Sequence, residues 1–324
     1  MTTPAPGSPT WVRPLGRTGI QLSAVCVGAS PLGSLPRLYG REVSVDEGVA
    51  TARAALDSPI RCIDTSNNYS DGESERRIGT AIADAGGLPD DFVVITKVDA
   101  RDRDFSGDRV RASLDESRER LGLDHLPLVH LHDPENFDFT EISAPGGAVD
   151  ALVELRESGV VGAIGLAGGR VQEMAKYLAL GVFDVLLVHN RWTLLDRSAG
   201  DLIAEALDRG MGVLNAAVYG GGILAAPDRR PVTYGYRPAP PEILDAVADM
   251  QRVCAEHGTD LRTAALQFSL RDDRFGATVV GMGAPSRVAD TLAAAAHPVP
   301  DALWDELESL LPPRHVWLDA PFDR

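Results

Sequence analysis

The chain has 324 residues, of which 44% are hydrophobic, 24% charged and 6% aromatic, the composition of a globular protein and not of a disordered or fibrous one. Its net charge of −16 and pI near 4.8 speak against nucleic-acid and anionic-membrane binding, both of which need a basic surface. The three cysteines, Cys26, Cys62 and Cys254, form neither a metal-ligand pattern nor an even disulfide set, and no run of about 18 apolar residues crosses a membrane, so the expectation is a cytoplasmic protein acting on a small molecule.

The opening "MTTPAPGSPT" is small and Pro-rich without an apolar core, which reads as a flexible lead-in over residues 1–11 and not as a signal peptide. "RPLGRTGIQLS" follows as a short hairpin turning at Gly16 and Gly19. From there short apolar runs alternate with amphipathic segments. Strands are predicted over 24–28, 60–64, 92–97, 127–132, 161–166, 183–189, 211–217 and 276–281. Between them helices are predicted over 45–57, 72–85, 107–121, 147–158, 170–180, 198–209, 241–257 and 262–271, and after them over 286–296 and 301–311. Ser44 caps the first of these, with Glu47 in capping-box position.

Continuous apolar strands separated by helices imply parallel strands buried on both faces, and eight such units suggest a closed (β/α)8 TIM barrel over one domain, with an N-terminal β-hairpin and extra helices. The long irregular stretches 133–146 and 218–240 both follow strands, where the loops of a barrel surround its active site. Polar residues at the carboxyl ends of strands project into that mouth. Strand two ends at Asp64 with Tyr69 five residues on, strand three ends at Lys97 and strand four at His132. A free phenol, with a pKa of about 10, is a poor acid or base at neutral pH, but an ammonium beside it lowers that value. Lys97 is read as that ammonium, Asp64 as the group that keeps it charged, and His132 as a partner for the substrate oxygen. The set suits interconversion of a carbonyl and an alcohol.

These four positions resemble the Asp, Tyr, Lys and His tetrad of the aldo-keto reductases, whose motifs recur here in order as "RPLGRTGIQLSAVCVG", "IDTSNNY" with "ESERRIG", "VVITK", "LHDPE" and "PSRV". The resemblance runs from about residue 12 to 312 and implies a nicotinamide cofactor, held without a Rossmann fingerprint by the segments after strands seven and eight. Here those are "GGGIL", with Gly220 and Gly221, and "GMGAPSRVADT", with Gly281, Met282, Gly283 and Arg287. Where NADPH-preferring members carry a Lys-Ser pair for the 2′-phosphate, this chain has Gly281 and Met282, leaving Arg287 as the matching cation; this favours NAD over NADP. The family's nicotinamide-stacking aromatic falls near Ala216 and its carboxamide-binding glutamine near Leu187, with Asn190 or Trp192 as substitutes.

"HNRWTLLD" and "VLNAAVYGGGIL" further resemble the branch containing L-fucose or D-threo-aldose 1-dehydrogenase, L-galactose dehydrogenase and pyridoxal 4-dehydrogenase, which implies oxidation of a cyclic hemiacetal to a lactone. Trp192, Tyr39, Tyr219 and the loop 133–146 are expected near such a substrate. The other readings are an NADPH-dependent aldehyde or ketone reductase, a Schiff-base lyase using Lys97, which Asp64 disfavours by keeping the lysine protonated, and a non-catalytic regulatory barrel. His130, Cys26 and Cys62 are read as interior residues.

Overall fold

Eight parallel strands close into a barrel in this computed structural model, which describes residues 3–227 and 232–319. A first hairpin pairs β1 (Val12–Pro14) with β2 (Gln21–Ser23). The barrel strands are β3 (Val25–Gly28), β4 (Cys62–Asp64), β5 (Val93–Val98), β6 (Leu126–His132), β7 (Val161–Gly168), β8 (Val185–His189) and β9 (Gly212–Ala216). A two-residue hairpin, β10 (Thr233–Tyr234) with β11 (Arg237–Pro238), precedes the last barrel strand, β12 (Ala277–Gly281), which pairs with β9 and β3 to close the ring.

The strands are apolar on both faces because each faces two cores. Cys26, Cys62, Ile95, Leu128, Val185, Leu187, Leu214 and Val279 point inward and fill the barrel. Residues out of phase with them, such as Val27, Ile63, Val94, Val129 and Leu186, pack outward against the helices. The first hairpin seals the amino-terminal end. Leu15 is fully buried there, and a Cβ on Gly212 or Gly276 would lie 2.6 or 2.8 Å from its Cδ1, so glycine at the start of β9 and just before β12 admits the plug. Arg13 fixes the hairpin by donating to the carbonyls of Leu270 and Phe275.

The helices begin where caps allow. Ser44 accepts from Glu47 N at 3.1 Å, Ser106 from Arg109 N at 3.3 Å and Asp260 from Thr263 N at 2.7 Å. Helices Pro241–Glu256 and Ala302–Ser309 are additions to the eightfold plan and build a second apolar cluster around Ile243, Met250, Leu303 and Leu307. Three features were not anticipated: the helices Pro36–Tyr39 and Phe139–Ile142 and the β10–β11 hairpin. At four residues or fewer per element they are too short to show a hydrophobic period. Residues 228–231 of the stretch 218–240 lie outside the described residues, as do Met1 and Thr2 of the lead-in. The lead-in itself is anchored, not free: Trp11 is 4% exposed and donates from its indole to Pro59 O at 2.9 Å.

Candidate active site

Period-two alternation carries each inward-facing strand from the barrel core to the mouth. Cys62 is followed by Asp64, Ile95 by Lys97, Leu128 by His130 and then His132, and Leu187 by His189. The parallel register sets Asp64 beside Ile95, Lys97 beside His130, and His132 beside Ala167. Two residues per strand therefore decide what is filling and what is chemistry.

The four tetrad residues converge. Lys97 Nζ donates to Asp64 Oδ1 and to Thr65 O, both at 2.6 Å, and reaches Tyr69 Oη at 3.3 Å. The Tyr69 and His132 rings meet edge to face with centroids 5.6 Å apart. Asp64 and Lys97 are 3% and 1% exposed, so the pair stands in a low-dielectric pocket where each charge depends on the other.

The polar string between Asp64 and Tyr69 is scaffolding for the tyrosine. Thr65 and Ser74 hydroxyls bond at 2.9 Å, and Thr65 N donates to Ile95 O. Ser66 donates to Asp99 Oδ2, and Asn68 N donates to the same oxygen at 3.0 Å. Asn67 donates to Ser113 O and Glu116 on helix Gly107–Leu121. Helix Glu73–Asp84 follows, with Glu75 fully buried and ion-paired to Arg120 at 3.1 Å.

Electrostatics corrects one expectation. Burial pushes the Tyr69 phenol well above its ordinary value, and the Asp64, Tyr39, Asp133 and Asp99 charges push the same way. Lys97, whose charge is matched by Asp64 at 2.6 Å, does not reverse that upward shift. Tyr69 therefore holds its proton in the ligand-free site. Burial also raises the Asp64 carboxyl, with Lys97 pulling against it, and burial with Lys97 and His132 drives His130 well down, leaving a neutral ring. His132 behaves oppositely: burial lowers it, but Asp99 and Asp133 outweigh burial and the net shift is upward.

Of the expected substrate residues, Tyr39 lies near the tetrad; its phenol donates to Ser30 at 2.9 Å and burial pushes it up to about 12. Trp192 does not belong to the mouth. Asn190 adopts φ +62° and turns the chain outward, so the Trp192 ring stacks on Phe268, 6.4 Å between centroids, with the Arg274 guanidinium 4.3 Å from the ring. Its carbonyl accepts from Asn215, which is out of phase with the inward Leu214 and Ala216 and faces the helices. Tyr219 stands on the side of the expected cofactor segments, in the field of Arg262 and Arg287, and no described contact joins it to the tetrad.

The expected cofactor glycines, read together as a shelf for the dinucleotide, run from buried at Gly220 through half-buried at Gly221 and Gly283 to exposed at Gly281. Gly220, Gly221 and Gly222 all have positive φ, at +60°, +77° and +105°, and Gly281 is exposed with only Pro31 near a notional Cβ. Met282 is fully buried among apolar residues and offers the shelf backbone alone. Arg287 is half-exposed and 3.5 Å from Asp290. Leu187 is core; the position facing the mouth is His189, two residues on. Asn190 Oδ1, just past β8, and Glu135 Oε2, just past β6, are buried without a hydrogen-bond partner among the described residues.

Sequence reasoning missed several groups at the mouth. Asp99 lies two residues beyond Lys97, in phase with it, and its Oδ1 is 2.6 Å from His132 Nδ1. Asp133, strained at φ +46°, brings Oδ1 within 3.9 Å of both His132 Nε2 and His189 Nε2. Burial pushes His189 down to about 4; its Nδ1 accepts from Asn190 at 3.2 Å. Glu135 is held by Gly169 N at 2.6 Å. Tyr236, half-exposed, reaches the rim from the β10–β11 hairpin, and Arg41 donates to Gly283 O beside the shelf. No sequence signal marks Tyr236 or Arg41, whereas His189 follows from strand phase alone.

Residues 24–312 match the sequence profile of the Aldo/keto reductase family. The chain is 32% identical to D-threo-aldose 1-dehydrogenase of a Pseudomonas species over 317 residues, covering 89% of this chain and 94% of that one. It is 33% identical to L-galactose dehydrogenase of Arabidopsis thaliana, with 87% of each chain covered, and 29% identical to pyridoxal 4-dehydrogenase of Microbacterium luteolum, with 92% and 96% covered. The fold matches that of a holo aldo-keto reductase from Bacillus halodurans with a TM-score of 0.75 at 21% identity, covering 93% of this chain and 96% of that one.

Proposed function

We propose that this chain, which belongs to the aldo/keto reductase family, oxidises the hemiacetal carbon of a cyclic sugar, or of pyridoxal in its cyclic form, to the lactone with NAD as acceptor. The observation that carries the reading is the convergence of Asp64, Lys97, Tyr69 and His132 at the carboxyl ends of the barrel strands. The names of the three relatives support the substrate class.

The shelf fits a dinucleotide. Gly222 and Gly281 leave backbone open to a pyrophosphate, the N-terminus of helix Pro285–Ala296 carries no side-chain cap, and Asn190, just past β8, is the side chain we assign to the carboxamide. When bound, the nicotinamide supplies the hydride acceptor. The cations beside Gly281–Gly283 are already engaged: Arg41 pairs with Glu47 at 3.1 Å and Arg287 faces Asp290. With no uncommitted cation at Gly281 or Met282 among the described residues, a 2′-phosphate would lack charge compensation, which supports NAD over NADP.

The protein's part is to hold and move one proton. The substrate oxygen fits between Tyr69 Oη and His132 Nε2. As the carbon loses hydride, the hydroxyl proton passes into the Tyr69–His132 pair and the lactone carbonyl forms. Lys97, fixed by Asp64 and Thr65, orients Tyr69 throughout.

One observation favours the reverse direction as a second reading. The Tyr69 phenol carries a proton and stands 3.3 Å from Lys97 Nζ, and reduction of an aldehyde or ketone by NADPH would draw on that proton. The test is purified protein with NAD or NADP against L-fucose, D-arabinose, L-galactose, L-rhamnose and pyridoxal, following absorbance of reduced cofactor. Turnover with NAD is expected for at least one. Silence on the whole panel with reduction of aldehydes by NADPH would replace the first reading by the second.

A further inference from the structure

We propose that Asp99 is a positioning residue for His132: it fixes the proton on Nδ1, leaves Nε2 as the nitrogen that meets the substrate oxygen, and makes that nitrogen a stronger proton acceptor. The inference rests on the dehydrogenase reading above, because it assigns how His132 takes part in proton transfer.

The geometry is that of a buried carboxylate–imidazole pair. Asp99 is 6% exposed, and its Oδ1 stands 2.6 Å from His132 Nδ1. Its other oxygen already accepts from the Ser66 hydroxyl and from Asn68 N. His132 and these two donors hold the Asp99 carboxyl below its ordinary value despite burial. An ionised carboxylate can only accept, so the proton between the pair belongs to His132 Nδ1. Nε2 of the neutral ring is then a free lone pair facing the mouth, beside Asp133 at 3.9 Å.

Ser66 and Asn68 belong to the string that carries Tyr69. One carboxylate therefore ties the tyrosine loop, β5 and the end of β6 together, so that Tyr69 and His132 keep their edge-to-face contact. In the oxidation the substrate O–H bond breaks as the C–H pair leaves for the nicotinamide. The proton ends on His132 Nε2, directly or through Tyr69, giving an imidazolium whose Nδ1–H faces the Asp99 charge. The imidazolium then loses that proton to solvent through the mouth.

The charged and titratable groups around His132 are Asp64 and Tyr69 from β4 and its loop, Lys97 and Asp99 from β5, His130 and Asp133 from its own strand, and His189 from β8. Lys97 opposes protonation of His132 and Asp133 favours it, while Asp99 is the favouring charge in direct contact. Removing that charge leaves burial and Lys97 opposed only by the more distant carboxylates.

The test is Asp99→Asn, which keeps the size and one acceptor oxygen, places an amide donor where the other oxygen was, and deletes the charge. Histidine nitrogen NMR of the cofactor-free protein reads His132 without any turnover. In the wild type we expect its neutral form to carry the proton on Nδ1 and its pKa to lie above that of a free histidine. In Asp99→Asn the pKa falls by about 1–3 units, the effect of losing one adjacent opposite charge. With an oxidised sugar from the panel above, the kcat profile should move to lower pH by the same amount, with KM for NAD within about twofold of wild type. An unchanged His132 pKa in a folded variant overturns the inference. Should the variant not fold, a wild-type His132 that titrates below free histidine overturns it equally. A His132 shift in a protein that oxidises nothing would support the Asp99–His132 pair while rejecting the dehydrogenase reading.

Discussion

Replacing Gly165 with alanine would drive a methyl group into the His130 ring. The added Cβ falls 2.0 Å from Nδ1, 2.4 Å from Cε1 and 3.0 Å from Cγ, and the two residues are paired in register across β6 and β7. The ring is fully buried, in register with Lys97 and two residues before His132, so it has no exit to solvent. The backbone of Gly165 is not in the left-handed region, and space alone forbids the side chain. Overpacking of this kind costs about 1–3 kcal/mol. Urea titration of the variant should show that loss with an unchanged slope, and kcat should fall because the displaced ring presses on the layer that holds the tetrad. The cause is separable by a double-mutant cycle. His130→Ala alone destabilises by opening a cavity, and in that background Gly165→Ala fills space instead of colliding, so its cost should shrink by at least about 1 kcal/mol. A Gly165→Ala variant as stable as the wild type, or additive losses across the cycle, would refute the reasoning.

Trp192→Ala should destabilise the protein by about 3–5 kcal/mol, because the ring stacks on Phe268 and supports Arg274, while leaving substrate KM within about twofold; a large rise in KM with little loss of stability would put Trp192 back at the substrate. Glu116 accepts from Arg101, Arg109, Arg120 and Asn67, and despite its burial these donors lower its carboxyl to about 2. A folded pKa below the unfolded one contributes stability above pH about 4.5 that is lost as pH falls toward 2. Melting temperatures recorded across that window should fall more steeply for the wild type than for Glu116→Gln, and parallel curves would contradict the assignment.

The barrel was legible because eight apolar strands buried on both faces leave few alternatives, and the tetrad because Asp64, Lys97 and His132 end their strands in phase with core residues. The same phase marks His189 and Asp99. The family resemblance points to Leu187 and not to His189, and a strand ending at Lys97 hides that β5 runs on to Val98 and that its loop turns Asp99 back onto His132. Trp192 was misplaced because nearness in sequence to a strand end does not place a side chain at the mouth; a left-handed Asn190 in between reverses the direction. The acidity of Tyr69 was misjudged for a different reason. Composition shows a lysine and an aspartate, but only the folded arrangement shows that Asp64 matches the Lys97 charge and that burial carries the phenol upward. Tyr236 and Arg41 are brought in by tertiary packing from far along the chain, and no local pattern announces them.

Tyr69→Phe removes a single oxygen whose described hydrogen bond is the 3.3 Å contact from Lys97, so the fold and the cofactor shelf should be almost untouched. The most direct test measures reduction of NAD by this variant with whichever hemiacetal the wild type oxidises, together with NAD binding by fluorescence titration. The expected result is a fall in kcat of about 10²–10⁴-fold with NAD affinity within about twofold of wild type. A variant that turns over at the wild-type rate would contradict the assignment of this strand-end cluster as the site of proton transfer.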